Sequence, residues 1–314
     1  MEDYEEKVSI SLPVDSEGYL GRVCPNNQCK MYFKIHPESA SDNETCTCPY
    51  CGNKAHNNDY ATDDQSETGN SLIFEQINDL LEKELKNMEF DIKPKGDFGL
   101  GVSLKVKSGP PIPLHHYQEK QLETKIECSK CGLKYTVYGV FAFCPDCGQH
   151  NSLQILNRSL EVVQKLLTIS EDAEPEIANK MIENALEDCV SAFDGFGREL
   201  FKVSAKKASD EEKAKKVSFQ NILGMQRKAI ELFGIDPQNS LTRNEWDSTV
   251  MIFQKRHLLS HKMGVVDEEY IQKSQDRTAR IRRKIKVSKE EVNSLCENLS
   301  KLAEYLSSEI AKLS

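Results

Sequence analysis

The sequence has no apolar run approaching the ~18 residues needed to span a bilayer, so no transmembrane helix is expected in its 314 residues. It also lacks a basic leader followed by an apolar stretch. Met1 to Lys7 is acidic, which predicts no secretory signal. Nothing resembles a phosphate-binding glycine loop, a dinucleotide fingerprint or a serine triad. These absences predict a cytoplasmic protein with no membrane contact, in a compartment where thiols stay reduced. Cysteine, by contrast, is plentiful. Eleven of them in a reducing compartment point to metal or catalysis ahead of disulfides.

Charge is uneven along the chain. Residues 1–152 hold 15 Lys+Arg against 24 Asp+Glu, a net −9, whereas residues 153–314 hold 26 of each. Four thiolates around each Zn²⁺ would make the first half more negative still. A polyanion would therefore meet the second half more readily than the first.

The pattern predicts a multidomain α+β protein, with small β-rich zinc-ribbon modules at the N-terminal end and an all-α antiparallel helical bundle at the C-terminal end. Residues 1–56 lack helical periodicity and hold five cysteines, and 57–70 reads as a polar, acidic linker. In 71–125, Leu72, Ile73, Ile77, Leu80, Leu81, Leu85 and Met88 repeat at helical spacing. Phe98, Leu100, Val102, Leu104 and Val106 then alternate as a half-buried strand does, until Gly109-Pro110-Pro111. Residues 126–150 hold the second cysteine set. From 151 to 314 the period is helical throughout. Gly195 and Gly197 lie inside the second helix of this part, where close packing or a kink is expected. Capping boxes at Thr242/Glu245 and Ser288/Glu291 open its fourth and last helices. Cys189 and Cys296 fall on apolar stripes and are expected in the core.

Cys128-Ser-Lys-Cys131-Gly and Cys144-Pro-Asp-Cys147-Gly stand twelve residues apart. A C-x2-C turn presents two sulfurs to one ion, and tetrahedral Zn²⁺ takes four. Glycine after the second cysteine permits the tight turn and lets amides approach the sulfurs. This pair resembles a zinc ribbon. In the first set, Cys48 and Cys51 match the same pattern, and Cys24 and Cys29 are the expected partners at a spacing of four. Cys46 is a fifth candidate that could substitute for Cys48 or remain free. His36 and His56 are expected at the surface. Two closed four-cysteine sites leave no open coordination position, which predicts structural zinc rather than zinc hydrolysis. The acidic surroundings make a protein partner for the ribbons at least as reasonable as RNA.

The fourth helix of the second half ends Arg256-His257-Leu-Leu-Ser-His261-Lys-Met-Gly264. Trp246, Val250 and Phe253 set an apolar stripe on whose continuation His257 falls. Arg256 sits about 140° around from His261 on an ideal helix. Either the helix unwinds near His261 or a second chain completes the site. Arg256-x4-His261, with a polar residue directly after the arginine, resembles the R-x(4–6)-H motif of HEPN domains, helical bundles found in prokaryotic ribonuclease toxins and defence proteins. The resemblance covers about 153–314, and Met263 to Asp267 is like the turn seen in several branches. It implies metal-independent RNA cleavage across a homodimer, with Arg256 as phosphate clamp, His261 as general base and His257 positioning or stabilising. Cations in a last helical turn also complement the helix dipole without any catalysis. Arg277, Arg280, Arg282, Arg283, Lys284, Lys286 and Lys289 form a basic run just beyond, the better candidate for RNA contact. A second run comprises Lys202, Lys206, Lys207, Lys213, Lys215 and Lys216. An adaptor without enzymatic activity, in which the helical part dimerises and binds a partner, is the alternative reading.

Overall fold

A computed structural model describes residues 12–87, 90–92, 102–104, 124–274 and 276–313, and the chain divides into two compact units, 1–149 and 150–314. The first carries small sheets and the second is mostly helical.

In the first unit, β1 (Leu20–Val23) and β2 (Tyr32–Ile35) form a hairpin around the first cysteine pair, and β7 (Thr124–Glu127) and β8 (Lys134–Val137) do the same around the third. The two hairpins join into one antiparallel sheet of order β1-β2-β8-β7. The joining register sets Ile35 opposite Tyr135, one hundred positions apart in the chain. Segments 1–56 and 126–150, separate in sequence, thus share one sheet. Phe33 and Tyr135 are fully buried beneath it. Lys34, on the same strand, is buried because its ammonium meets the Asp15 carboxylate at 2.7 Å.

A third hairpin, β3 (Thr45–Thr47) with β4 (Lys54–His56), frames Cys48 and Cys51. Segment 57–70 is not a free linker. Tyr60 is fully buried with its ring edge-on to Phe33, and its hydroxyl donates to the Asn53 carbonyl at 2.6 Å. Helix α1 (Asp63–Asn87) begins inside that segment. Gln65, buried, donates from Nε2 to the Gly21 carbonyl of β1 at 2.8 Å. Polar composition hid one aromatic anchor and one amide, which suffice to fasten the segment. Short strands β5 (Phe90–Ile92) and β6 (Val102–Leu104) pair with each other. Of the expected alternating strand, Phe98, Leu100 and Val106 lie outside the described residues.

The helical unit contains α2 (Ser152–Ile169), α3 (Pro175–Val203), α4 (Glu211–Ala214), α5 (Ile222–Phe233), α6 (Arg243–Lys262), α7 (Glu268–Ser274) and α8 (Lys289–Lys312). Leu156, Leu160, Val163 and Leu167 of α2 meet Leu186, Val190 and Phe193 of α3 and Leu295, Leu299, Leu302 and Leu306 of α8 in one core. Both capping boxes form, satisfying the orphan N–H groups at the starts of α6 and α8. Gly197 is a packing glycine: a Cβ there would stand 2.1 Å from the Phe219 ring. Cys189 and Cys296 are core residues with sulfurs 3.3 Å apart.

Candidate metal centres and the Arg256 site

Four knuckles present the eight cysteines, and they share one backbone frame. The amide N–H of each first cysteine reaches across its turn to a carbonyl: Cys48 to Asn53, Cys128 to Leu133, Cys144 to Gln149, and Cys24 to Met31 across the longer spacing. The residue after each second cysteine lies at positive φ, where a Cβ is disfavoured. Gly52, Gly132 and Gly148 fill three of these places, and Lys30 fills the fourth at φ 46°. Backbone N–H groups also point at the sulfurs, from Asn26 to Cys24, from Tyr50 and Cys51 to Cys48, and from Lys130 and Cys131 to Cys128.

The sulfurs gather into two sets, Cys24/Cys29/Cys48/Cys51 and Cys128/Cys131/Cys144/Cys147, with all ligand atoms of a set within 4.8 Å of one another. Representative separations are 3.6 Å for Cys24–Cys51, 3.8 Å for Cys29–Cys48, 3.7 Å for Cys128–Cys147 and 3.6 Å for Cys131–Cys144. Bonds of about 2.3 Å to a tetrahedral Zn²⁺ put ligand sulfurs about 3.8 Å apart, so both sets fit that ion. They are far too long for disulfides. Burial pushes the Cys24 and Cys131 thiols up to about 11, whereas in each cluster one thiol, Cys51 or Cys128, is held below its ordinary value by hydrogen bonds that outweigh burial. A divalent ion would favour the thiolate form of all four ligands by binding it.

Cys46 stands outside both sets. It is buried on β3, its sulfur turned to the Thr47 carbonyl, and burial raises its pKa to about 12. The two later knuckles of the sets are stitched together by reciprocal bonds, Thr47 N–H to Pro145 O at 2.7 Å and Phe143 N–H to Pro49 O at 2.9 Å. Asp146, between two ligands, accepts from Ser41 and Asn43, a tie across segments that spacing alone did not suggest. His56 is exposed, as expected, but His36 is only partly so, its ring edge-on to Tyr19 at 5.4 Å.

In the helical unit, α6 remains helical through His261 and ends with Met263 in the left-handed conformation. It does not unwind at the histidine. The buried face follows Thr249, Ile252, Phe253 and Arg256, so Arg256 rather than His257 is taken inward. Its guanidinium grips Glu187 of α3 with two parallel bonds, Nε to Oε2 at 2.8 Å and Nη2 to Oε1. Ser260, one turn on, donates to the same carboxylate at 2.8 Å. Burial opposes ionisation of Glu187, but these donors and nearby His261 outweigh it and hold its pKa below the usual carboxylate value. Sequence reasoning missed Glu187 and Ser260, although Ser260 follows Arg256 at i+4.

His257 and His261 are exposed, their ring centroids 4.8 Å apart. Partial desolvation, with His261 and Lys262 close by, lowers the His257 pKa from its ordinary value. Beyond α6 the chain pairs with the basic run. Val266 N–H bonds to Arg283 O at 2.9 Å, Arg282 N–H to Val266 O at 2.8 Å, and Ile285 N–H to Gly264 O at 2.8 Å. Arg277, Arg280, Arg282, Arg283 and Lys284 are all exposed.

Fold and clusters together define a protein with two tetracysteine clusters, each able to hold a metal ion, and a mostly helical C-terminal part. No family model, curated protein or solved structure matches the chain. The HEPN resemblance therefore rests on the residues quoted above alone. No helix among the described residues is long and apolar enough to cross a membrane.

Proposed function

We infer that the protein is a metal-independent endoribonuclease of HEPN type, with zinc ribbons that stabilise or address it and a site completed by a second copy of the helical unit. The observation that carries this reading is the strand-like pairing of 264–266 with 282–285. It ties five exposed cations to the end of the helix that presents His257 and His261. A phosphate backbone following that run would reach the imidazoles. Arg256 is clamped on one edge by Glu187, which fixes the guanidinium plane while Nη1 has no hydrogen-bond acceptor among the described residues. That edge suits one phosphate oxygen. His261 would take the ribose 2′-OH proton. The 2′ oxygen then attacks phosphorus and the 5′ oxygen departs with a proton from solvent. The ends left are a 2′,3′-cyclic phosphate and a 5′-hydroxyl. A role in stress or phage defence, in the reducing cytosol, is what the resemblance adds.

A second reading is favoured by one specific observation. The depression beside His257, lined also by Gln254, Lys262 and Glu269, is too shallow to seat a nucleotide, and Arg256 already has a counter-ion. A nonenzymatic adaptor, dimerising through the helical unit and holding a protein partner by the ribbons, needs no cleft. The test incubates end-labelled RNA with zinc-replete protein in EDTA, beside His261→Ala and an Arg256→Ala/His261→Ala double variant. Cleavage by wild type and its loss in both variants supports the nuclease. Full activity in the double variant rules out this site, and an inert but dimeric wild type supports the adaptor.

A further inference from the structure

A cleft of about 640 Å³ opens in the helical unit between α4 with the connection that follows it and one face of α5. That volume lies within the ~300–1,000 Å³ range of small-molecule sites. Gly224, Arg227, Lys228 and Glu231 lie on one side of α5 at helical spacing, and Lys213 and Lys216 face them across the opening. Four cations therefore surround one carboxylate. Two of the four are already committed, Lys213 to Asp210 at 3.0 Å and Lys228 to Glu231 at 2.6 Å. Lys216 and Arg227 have no carboxylate within 4.0 Å among the described residues. Val217, buried, supplies an apolar floor.

The connection is rigid. Asp194 of α3, itself buried, accepts from the Phe219 amide at 2.6 Å, the Ser218 hydroxyl at 3.2 Å and the Gln220 side chain at 3.3 Å. Phe219 is fully buried against Gly197, Phe193 and Phe201. A turn fastened from below by a carboxylate and an aromatic ring fixes the backbone that carries Lys216 beside the cleft before any ligand arrives, which lowers the ordering cost of binding.

We propose that this cleft binds a small anion carrying two or more phosphoryl groups. Two unpaired cations, with two more able to exchange partners, offer charge-assisted donors to adjacent phosphoryl groups. The N-terminal turn of α5 adds dipole of the right sign. A long polyanion fits less well. Glu211 and Glu212, exposed, and Asp210, half-buried, stand beside the cations and would repel a chain running past, while a compact ligand stays inside the ring of positive charge. This inference is independent of the nuclease reading, because it uses none of its residues.

The experiment is calorimetric titration of the full-length protein with sodium tripolyphosphate, ATP and a twelve-nucleotide RNA lacking terminal phosphates. A Lys216→Gln/Arg227→Gln double variant and Lys202→Gln, an exposed lysine outside the cleft lining, are titrated alongside. Saturable binding of tripolyphosphate or ATP, weakened about tenfold or more by the double variant but not by Lys202→Gln, is expected. Unchanged melting temperatures without ligand show that the variants fold. Absence of binding at millimolar concentration overturns the proposal, as does equal binding by wild type and double variant. RNA that binds as tightly as tripolyphosphate and displaces it overturns the small-ligand assignment in favour of a polymer path.

Discussion

The two units solve the same problem by different means. The helical unit buries a continuous apolar core drawn from α2, α3, α5, α6 and α8, enough to fix long helices without help. The sheet unit has strands of three or four residues, and four of its buried residues are candidate metal ligands. Short strands with so little apolar surface do not repay the entropy of ordering them. Stability there would pass through sulfur and metal, and in the other unit it passes through hydrocarbon. One unit should thus be conditional on its ions and the other indifferent to them.

The sharpest way to break that contrast is to remove metal. Structural zinc contributes on the order of 10 kcal/mol or more per site. Demetallation with a strong chelator is expected to abolish amide-exchange protection at β2 and β8 while leaving it intact in α3 and α8. Equal loss in both units would show that the division is wrong. Next in size, Gly197→Ala sets a methyl against the buried Phe219 ring. We expect a loss of about 3 kcal/mol in denaturant unfolding of the helical unit, larger than the ~1 kcal/mol of helix propensity gained.

A third test concerns acid. Burial, with Lys202 nearby, lowers the His150 pKa to about 4, although Glu199 at 3.8 Å works the other way. The Ser152 amide donates to Nδ1 at 3.3 Å, a bond that protonation there would remove. Because the unfolded chain binds this proton more readily, the contribution is complete above pH ~6.5 and drains away as pH falls toward ~4. Between pH 7 and pH 5 the helical unit should lose about 2 kcal/mol from this group. His150→Asn, which keeps an acceptor for Ser152 and does not titrate, should flatten that slope. The smallest effect is in the sheet unit. Lys30→Gly relieves a left-handed lysine and should raise metal-loaded stability by about 0.5–1 kcal/mol, read as a higher melting temperature.

Helical period and caps were legible because they are local. The apolar repeats of α2, α3 and α8 and the boxes at Thr242 and Ser288 locate those elements within a few residues. Knuckle spacing likewise pointed to eight sulfurs. What escaped was non-local. Nothing in Tyr32–Ile35 says that it will pair with Lys134–Val137, since strands of four residues carry little pattern and their partner lies a hundred positions away. Glu187 escaped for a similar reason: it is one acid beside Asp188 on a long helix, and only the tertiary fold brings it to Arg256. The burial of Arg256 was a matter of helical phase. The stripe read from Trp246, Val250 and Phe253 pointed to His257, whereas the buried face also takes in Thr249 and Ile252, which turns its centre towards Arg256.

The sheet that joins β2 to β8 has a consequence for how the protein is made. Neither hairpin can complete it alone, and each hairpin hangs from a different cysteine cluster. An ion captured at one cluster orders the edge that the other hairpin needs, so the second ion meets a partly built site. Metal uptake across this unit should then be sigmoidal, with half-loaded molecules scarce. The unit would register whether both ions are present rather than count them one by one.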